Sequence, residues 1–341
     1  MSRIAAILTL AILALAASIG GTTPAAAADV ITDKLICAIT FWPPQSINRL
    51  ADELGYFEQE GVEVEYIFDD DLTVQFAAMD TGQINCNSRT VGEYQSRPRD
   101  DDTMGVIIGV EDISMGGDAI IASAEIQSVC DLRGKLFAYE PTVPAPLLLQ
   151  KALKEECGMT FDDLETTNIS TADALGVFAD PKVDAVAVYE PVATQILNAG
   201  IREGAHRLLD SADYPGLIVD VWFVDQRVIE ANPEMVRGYL RAVYRAIDYF
   251  MANPEKAAEF MAPFFNLTPE EILETLEGGP FVSYDEAVVF MGTHGERGTL
   301  HDNFDSVMQL NVESGVADAL LSSDTKIDNS IITDLFVGHE R

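Results

Sequence analysis

The chain has few basic residues. It carries 21 Lys and Arg against 56 Asp and Glu, which gives a formal net charge of −35. Binding to phosphate backbones needs clustered Lys and Arg, so this deficit argues against nucleic acid as a partner. The acidity bears on solubility and points to a saline habitat, and it says little about the fold. Because hydrophobic residues still make up 48% of the chain, it is not a disordered acidic polymer.

Cysteine and histidine are also scarce, with four of each. No C-x-x-C pair exists, the histidines match no metal-binding spacing, and both the P-loop and the G-x-S-x-G motif are missing. We therefore expect no metal, no cofactor and no catalysis. Cys130 precedes a predicted strand and Cys157 ends the helix that follows it. An antiparallel helix would bring the two together, which predicts a disulfide, with buried free thiols as the alternative.

The N-terminus resembles an export signal. A single charge, Arg3, precedes the apolar run Ile4–Ile19, and small residues at Ala26 and Ala28 fit a cleavage site. The sequence therefore predicts a signal peptide over residues 1–28, with an uncleaved anchor as the alternative. No later apolar segment approaches the length of a membrane span. Export makes disulfides chemically accessible.

The remaining chain alternates between strand and helix patterns. Predicted strands lie at Leu35–Thr40, Val62–Phe68, Gln83–Cys86, Val106–Val110, Ala119–Ala122, Lys135–Tyr139, Thr166–Ile169, Val183–Val188 and Leu217–Val224. After Val224 the pattern is almost wholly helical, with a clear amphipathic stripe over Pro233–Met251. Such alternation predicts an α/β protein with parallel, doubly wound sheets.

Several segments, in order along the chain, carry a family resemblance. They are Trp42-Pro43-Pro44, Ala77–Ile84, Gly117–Ala122, Asp131–Lys135, Lys182–Pro191 and Asn232–Val236. Together they resemble the nitrate/sulfonate/taurine-type solute-binding proteins, a group that also includes binders of bicarbonate, thiamine-precursor pyrimidines and riboflavin. The resemblance covers nearly all of the chain after the signal peptide.

The resemblance implies a type II periplasmic-binding-protein fold, with two doubly wound lobes joined by a two-crossing hinge. Residues 29–114 plus 223–341 would form lobe 1, and residues 115–222 would form an inserted lobe 2. It also implies a monomeric, periplasmic component of an ABC importer that passes a small molecule to a membrane permease with its cytoplasmic ATPase. The alternatives are a sensory module reporting to a membrane receptor and a pyrimidine-synthase-like enzyme on the same fold, whose Cys-rich iron motif is missing here.

In such a fold the ligand lies between the lobes, at the carboxyl ends of the parallel strands and at the hinge crossings. These positions nominate the ligand-binding residues Trp42, Gln45, Asp70, Asn87, Ser88, Arg89, Ser114, Thr142, Tyr189, Glu190, Asp220 and Trp222. Two alternatives stay open. The acidic run around Asp70 would also serve as a solvated turn with a helix cap, and Tyr189-Glu190-Pro191 would also serve as a helix start.

Two features bear on the charge of the ligand. Many members of the resembled family hold an anionic group with backbone N–H donors at the start of the first helix of lobe 2, where this chain has Pro144 and Pro146. Arg89 is the one obvious cation among the nominated residues. We therefore expect a nitrogen- or sulfur-containing organic solute that is zwitterionic, cationic or ring-bearing, in preference to nitrate, bicarbonate or a simple sulfonate.

Overall fold

The structure is a computed structural model that describes residues 31–69, 71–96, 105–141 and 143–341. The predicted signal peptide, residues 1–28, lies outside the described residues, as do the predicted site residues Asp70 and Thr142. Within the described ranges, no helix combines the length and the apolar character that crossing a membrane requires.

Ten β-strands are present in the described part of the chain. They are β1 Leu35–Ile39, β2 Val64–Phe68, β3 Cys86–Thr90, β4 Val106–Ile113, β5 Asp118–Ala122, β6 Leu136–Tyr139, β7 Glu165–Asn168, β8 Ala185–Tyr189, β9 His206–Asp210 and β10 Val219–Val224.

The α-helices of the described residues surround these strands. They are α1 Ile47–Glu53, α2 Tyr56–Glu60, α3 Leu72–Asp80, α4 Val91–Gln95, α5 Ala145–Ala152, α6 Ala174–Phe178, α7 Val192–Ala199, α8 Gln226–Ala231, α9 Pro233–Ala252, α10 Pro254–Phe265, α11 Pro269–Gly278, α12 Tyr284–Met291, α13 Thr299–Glu313 and α14 Ser323–Lys326.

The strands form two five-stranded sheets, which confirms the predicted two-sheet α/β architecture. The first sheet has the order β2-β1-β3-β10-β4, and the second has the order β7-β6-β8-β5-β9. Three strands of each sheet are parallel, whereas β10 and β5 run antiparallel to both of their neighbours. Consequently the first residues of β10 and β5 lie at the same edge as the carboxyl ends of the parallel strands.

Three elements differ from the sequence prediction. The apolar spacing over Gln45–Gln59 predicts a single helix, but the segment is divided into α1 and α2 at Gly55, whose φ of +71° is left-handed. The third strand begins at Cys86 instead of ending there, because polar residues resembled a loop although all five positions of β3 are buried. Strand β9 was not predicted, since its sequence HRLLD is polar and lies at a sheet edge.

The chain passes between the sheets twice, after β4 and before β10. Ser114 on the first crossing and Ser211 near the second have their hydroxyl oxygens 2.8 Å apart. The backbone N–H of Gly116 donates to the Ser211 hydroxyl over 2.6 Å. The predicted lobe boundary at Trp222 falls inside β10, which belongs to the first sheet. The division of the chain into lobes at residues 114 and 222 stays a prediction.

All four cysteines form disulfides. Cys130 is bonded to Cys157, the pairing that the sequence predicts, and Cys37 is bonded to Cys86, a pairing that the sequence does not predict. Cys37 and Cys86 are register partners in β1 and β3, so their bridge ties two neighbouring strands in the interior of the first sheet. Large apolar side chains fill the layers on both sides of this sheet.

Candidate functional site

A cleft of about 160 Å³ lies between the two sheets, at the edge that holds the carboxyl ends of the parallel strands. Both polar and aromatic side chains line it. The lining residues are Thr40, Trp42, Gln45, Arg89, Thr90, Glu93, Asp118, Glu140, Val143, Pro144, Ser170, Thr171, Ala172, Tyr189 and Asp220. Five of the sequence-predicted site residues are therefore brought together there, namely Trp42, Gln45, Arg89, Tyr189 and Asp220.

The loop after β1 places Trp42 in the cleft. Gln45 holds this loop, because its side chain accepts a hydrogen bond from the N–H of Thr40 over 2.6 Å and donates to the carbonyl of Ser88 over 3.0 Å. The Trp42 indole N–H in turn donates to the buried carboxyl of Asp112, with 3.3 Å between Nε1 and Oδ2. Gln45 thus supports the loop, and the Trp42 ring is presented to the cleft in a fixed orientation.

Arg89 at the end of β3 has its charge compensated within the protein. Its guanidinium lies 3.1 Å from Glu93 and donates to Gln75 over 3.0 Å. Glu93 also accepts bonds from the N–H and the hydroxyl of Thr90, as part of the capping box that begins α4. Both Arg89 and Glu93 are buried. The positive charge of Arg89 is therefore compensated by Glu93 within the cleft lining itself.

The second sheet contributes Asp118 and Tyr189, which are cross-strand partners in β5 and β8. The Tyr189 ring packs edge-on against Trp42, with 6.3 Å between ring centroids and 88° between planes. This aromatic pair connects the two sides of the cleft. On the same side, Glu140 is fixed by bonds from the N–H and the hydroxyl of Thr171, over 2.8 and 2.9 Å.

Buried carboxyl groups dominate the electrostatics of the site. Burial raises the pKa of Asp118 to about 7, although a hydrogen bond from Ser114 opposes the shift. Burial raises the pKa of Glu111, beside the cleft, to about 8. The pKa values of Asp112 and Asp220 lie well above the usual range, first because of burial and then because the carboxyl groups repel one another.

Five other predicted residues do not line the cleft. Asn87 is buried within β3, and Ser88 beside it donates to Glu111. Ser114 is buried at the crossing, where it binds Asp118 over 2.7 Å. Glu190 is paired with Arg207 and accepts a bond from the hydroxyl of Thr194 over 2.9 Å.

The fifth, Trp222, is completely buried against Tyr239 and Tyr244 of α9. Strand β10 enters from the cleft, so Trp222 lies two residues deeper than Asp220, inside the core. Trp222 is therefore a core residue packed against the first sheet's helix α9, and not the ligand contact that the sequence predicts.

Asp118 and Glu93 are two charged cleft residues that the site prediction missed. Asp118 is the first residue of an otherwise apolar strand, which is an unusual place for a buried acid. That isolated charge is the signal that could have found it. Glu93 carries a capping-box signal, Thr90 followed three residues later by Glu, which marks a helix start and gives no hint of a cleft. Among the described residues, no three His, Cys, Asp or Glu side chains are grouped so that they could hold a metal ion.

Comparison with known proteins agrees with this architecture. A binding protein of Brucella abortus (strain 2308) is 22% identical over 268 residues, which cover 77% of this chain and 81% of the relative. The crystal structure of the periplasmic aliphatic sulphonate binding protein SsuA from Escherichia coli superposes with a TM-score of 0.71 at 18% identity, covering 87% of this chain and 92% of that one. The desulfurization enzyme DSZB superposes with a TM-score of 0.64 at 14% identity, covering 89% and 99%.

These structural likenesses confirm the predicted periplasmic-binding-protein fold. The family profile described as NMT1/THI5 like matches residues 47–257, which include both sheets' parallel strands from β2 to β8 and most of the cleft lining. The resemblance seen in the sequence motifs is confirmed, and the chain belongs to the NMT1/THI5-like family.

Proposed function

We propose that this protein is the periplasmic solute-binding component of an ABC importer. It captures a small nitrogen- or sulfur-containing organic solute in the cleft and delivers it, as a monomer, to a membrane permease with its cytoplasmic ATPase. The chain is exported by residues 1–28 and cleaved after Ala28. The observation that carries the proposal is the position of the cleft, which is lined from both sheets of a protein whose sheets are joined by two crossings.

The lobes move as two bodies about these crossings. Residues 29–114 plus 223–341 form one lobe and residues 115–222 form the other, with the boundary near β10. Polar contacts between the crossings include those of the Ser211 hydroxyl with the Ser114 hydroxyl and with the N–H of Gly116. Rotation about such a short connection opens and closes a cleft without unfolding either sheet. Trp42 on one side and Tyr189 on the other would then separate on opening and meet on closure.

The chemistry of the lining favours binding over catalysis. The described part of the lining contains no His, Cys or Lys, and the hydroxyls of Thr90 and Thr171 each donate to a carboxylate, Glu93 or Glu140, that also accepts a backbone N–H. The side chains of Gln45, Arg89, Glu93 and Glu140 are engaged with other groups of the protein. Such groups shape and orient a site, and they do not transfer protons readily. We therefore propose that the protein is not an enzyme, although the desulfurization enzyme shares its fold.

A melting screen tests the proposal. The protein without its signal peptide is heated in the presence of single amines, amino acids, sulfonates, nitrate, pyrimidines and flavins. One class should raise the melting temperature, because a ligand that binds only the folded state stabilises it by mass action. The solute recovered after long incubation should be chemically unchanged. No shift with any class would contradict the receptor proposal, and conversion of the solute would contradict the non-catalytic one.

Trp42→Ala provides the site control for this screen. It should abolish the shift while the ligand-free protein still unfolds cooperatively. Phe260→Ala is the matched control, because Phe260 is an exposed aromatic residue on α10. A shift that survives Trp42→Ala would place the bound solute outside the cleft.

A further inference from the structure

We propose that the cleft selects a solute that carries an organic ammonium group, which is held between Asp118 and Asp220 and against the rings of Trp42 and Tyr189. This inference rests on the proposed function and narrows it from a small organic solute to one chemical class. It is carried by an unpartnered acceptor in the cleft, by the arrangement of the aromatic rings and by the balance of charge.

Asp118 offers an acceptor atom that the protein leaves unused. The side chain is 3% exposed and lines the cleft. One carboxyl oxygen accepts a hydrogen bond from the Ser114 hydroxyl over 2.7 Å, whereas Oδ1 is buried without any hydrogen-bond partner. Buried acceptors are normally satisfied, since leaving one unpaired costs free energy. A donor supplied by the ligand would satisfy it.

Asp220 approaches from the opposite sheet. It is 5% exposed, lines the cleft and stands opposite Asp112 and Thr90 in the antiparallel ladders of β10. Asp118 is the first residue of β5 and Asp220 the second residue of β10. Both strands run antiparallel to their neighbours, so each brings its first polar residue to the cleft edge. The two carboxyl groups thus flank the cleft from its two sides.

The aromatic residues are placed beside these carboxyl groups. Tyr189 is the register partner of Asp118, and Trp42 donates its indole N–H to Asp112, which is the register partner of Asp220. Each side of the cleft therefore pairs a ring with an acid. A ring face together with a carboxylate is the combination that binds an ammonium group, through cation–π attraction and a charge-assisted hydrogen bond.

The charge balance also favours a cation. The carboxyl groups that face Asp118 and Asp220 come from β4 and α4 and belong to Glu111, Asp112 and Glu93. Arg89, the cation of the lining, is bonded to Glu93 and Gln75. A bound ammonium group would supply the missing counter-charge. On the side where a helix start could hold an anion, Pro144 and Pro146 have no N–H to donate.

Proton linkage follows from the same arrangement. In the empty cleft, burial and mutual repulsion hold the pKa values of the acids above their usual range. A bound cation stabilises the ionised carboxylates, so binding releases protons and tightens as the pH rises toward the pKa of the amine. A ligand held by protonated carboxyl groups acting as donors would show the opposite dependence and bind more tightly at lower pH.

A calorimetric titration of the exported form tests the inference. The probes are benzylamine, choline and 1,4-diaminobutane as cations, benzyl alcohol as a neutral compound, and benzoate, ethanesulfonate and nitrate as anions, each at pH 6.5 and pH 8. We expect binding by at least one cation, tightening several-fold at pH 8. Asp118→Asn should weaken it at least tenfold, whereas Asp80→Asn, an exposed acid at the end of α3, should not change it.

The outcomes separate the inference from the proposed function. Binding of an anion or of the neutral compound without any cation would overturn the ammonium assignment and leave the receptor function intact. Binding of no probe, together with no hit in the melting screen, would overturn both. If Asp118→Asn fails to fold, the inference is tested by the cation affinity of Asp220→Asn, which should also fall, and by the pH dependence of binding to the unmodified protein. A cation affinity that falls as the pH rises would overturn the inference.

Discussion

The indole N–H of Trp42 donates to the carboxyl of Asp112 with 3.3 Å between Nε1 and Oδ2, and this bond ties the loop after β1 to the strand that leads into the second sheet. The same ring packs edge-on against Tyr189 of the second sheet. The Trp42 side chain thus binds the buried acid Asp112, lines the cleft and contacts the second sheet through Tyr189.

Substitutions of Trp42 should separate its two roles. Trp42→Ala removes both the ring and the hydrogen-bond donor, and we expect solute affinity to fall by at least about tenfold. Trp42→Phe keeps a ring but leaves Asp112 without this donor, so its affinity should lie between those of the unmodified protein and Trp42→Ala. Titration of the three proteins with the solute found by the melting screen checks the order. Equal affinity for all three would show that the ring does not contact the solute.

Ligand-free stability should fall as the pH rises. Asp118 and Glu111 keep their protons in the folded protein up to about pH 7 and about pH 8, respectively, whereas in the unfolded chain they ionise near pH 4. Folding takes up protons in this window, so the stability present below about pH 4 is progressively lost as the pH rises through the folded pKa values.

The melting temperature at about pH 9 should therefore be lower than at about pH 5.5. Asp118→Asn and Glu111→Gln should each reduce this difference, because each removes one group that must ionise in a buried place. Glu255→Gln, an exposed acid in the first turn of α10, is the matched control for the change in net charge. A pH profile that is the same in all four proteins would contradict the assignment of these two groups.

The two disulfides should contribute unequally to stability. Cys37 and Cys86 close a chain segment of 49 residues and link two strands of the first sheet, while Cys130 and Cys157 close one of 27 residues that contains β6 of the second sheet. Cross-linking restricts the unfolded chain more for a longer segment. Replacing the first pair by Ala should cost about 4 kcal/mol and replacing the second pair about 3.5 kcal/mol. Chemical unfolding of the two double variants measures both costs, and a larger loss for the second pair would contradict this ranking.

Gly117 should be required for the close contact between the two sides of the cleft. A Cβ at this position would lie 2.8 Å from the carbonyl oxygen of Gly278 and 2.9 Å from the Trp42 ring. The Gly117 N–H also donates to that carbonyl over 3.0 Å. Gly117→Ala should therefore force the sheets apart and weaken solute binding about tenfold. Gly176→Ala is the control, since a Cβ on this exposed residue of α6 would meet no other atom within 4 Å. Unchanged solute binding by Gly117→Ala would show that the close contact of Gly117 with Gly278 and Trp42 is not needed for binding.

Apolar patterns made most of the fold predictable. Continuous runs such as Ala185–Tyr189 and the amphipathic stripe of Pro233–Ala252 identify a buried strand and a long packed helix from sequence alone. The prediction misplaced strand β3 because the strand is rich in polar residues that are nevertheless buried. Among them, Ser88 donates to Glu111 and Arg89 donates to Gln75. Sequence periodicity carries no information about such distant partners.

The candidate site was predictable at the carboxyl ends of the parallel strands and, for Asp220, at the second crossing between the sheets. Because ligands are expected to bind at the carboxyl ends of parallel strands, the sequence alone identified Trp42, Arg89 and Tyr189 as cleft residues. It missed Asp118, because β5 runs antiparallel to its neighbours and brings its first residue to the cleft. The same reversal in β10 explains why Asp220 lines the cleft while Trp222 lies in the core. Strand direction depends on long-range pairing, which the local sequence does not encode.

The most direct test is a calorimetric titration of the exported protein with its best solute, performed at pH 8 in two buffers that differ in ionisation enthalpy. We expect one solute bound per chain and a net release of protons, because an ammonium group entering the cleft ionises the buried acids. Proton uptake on binding, or a stoichiometry other than one, would contradict it.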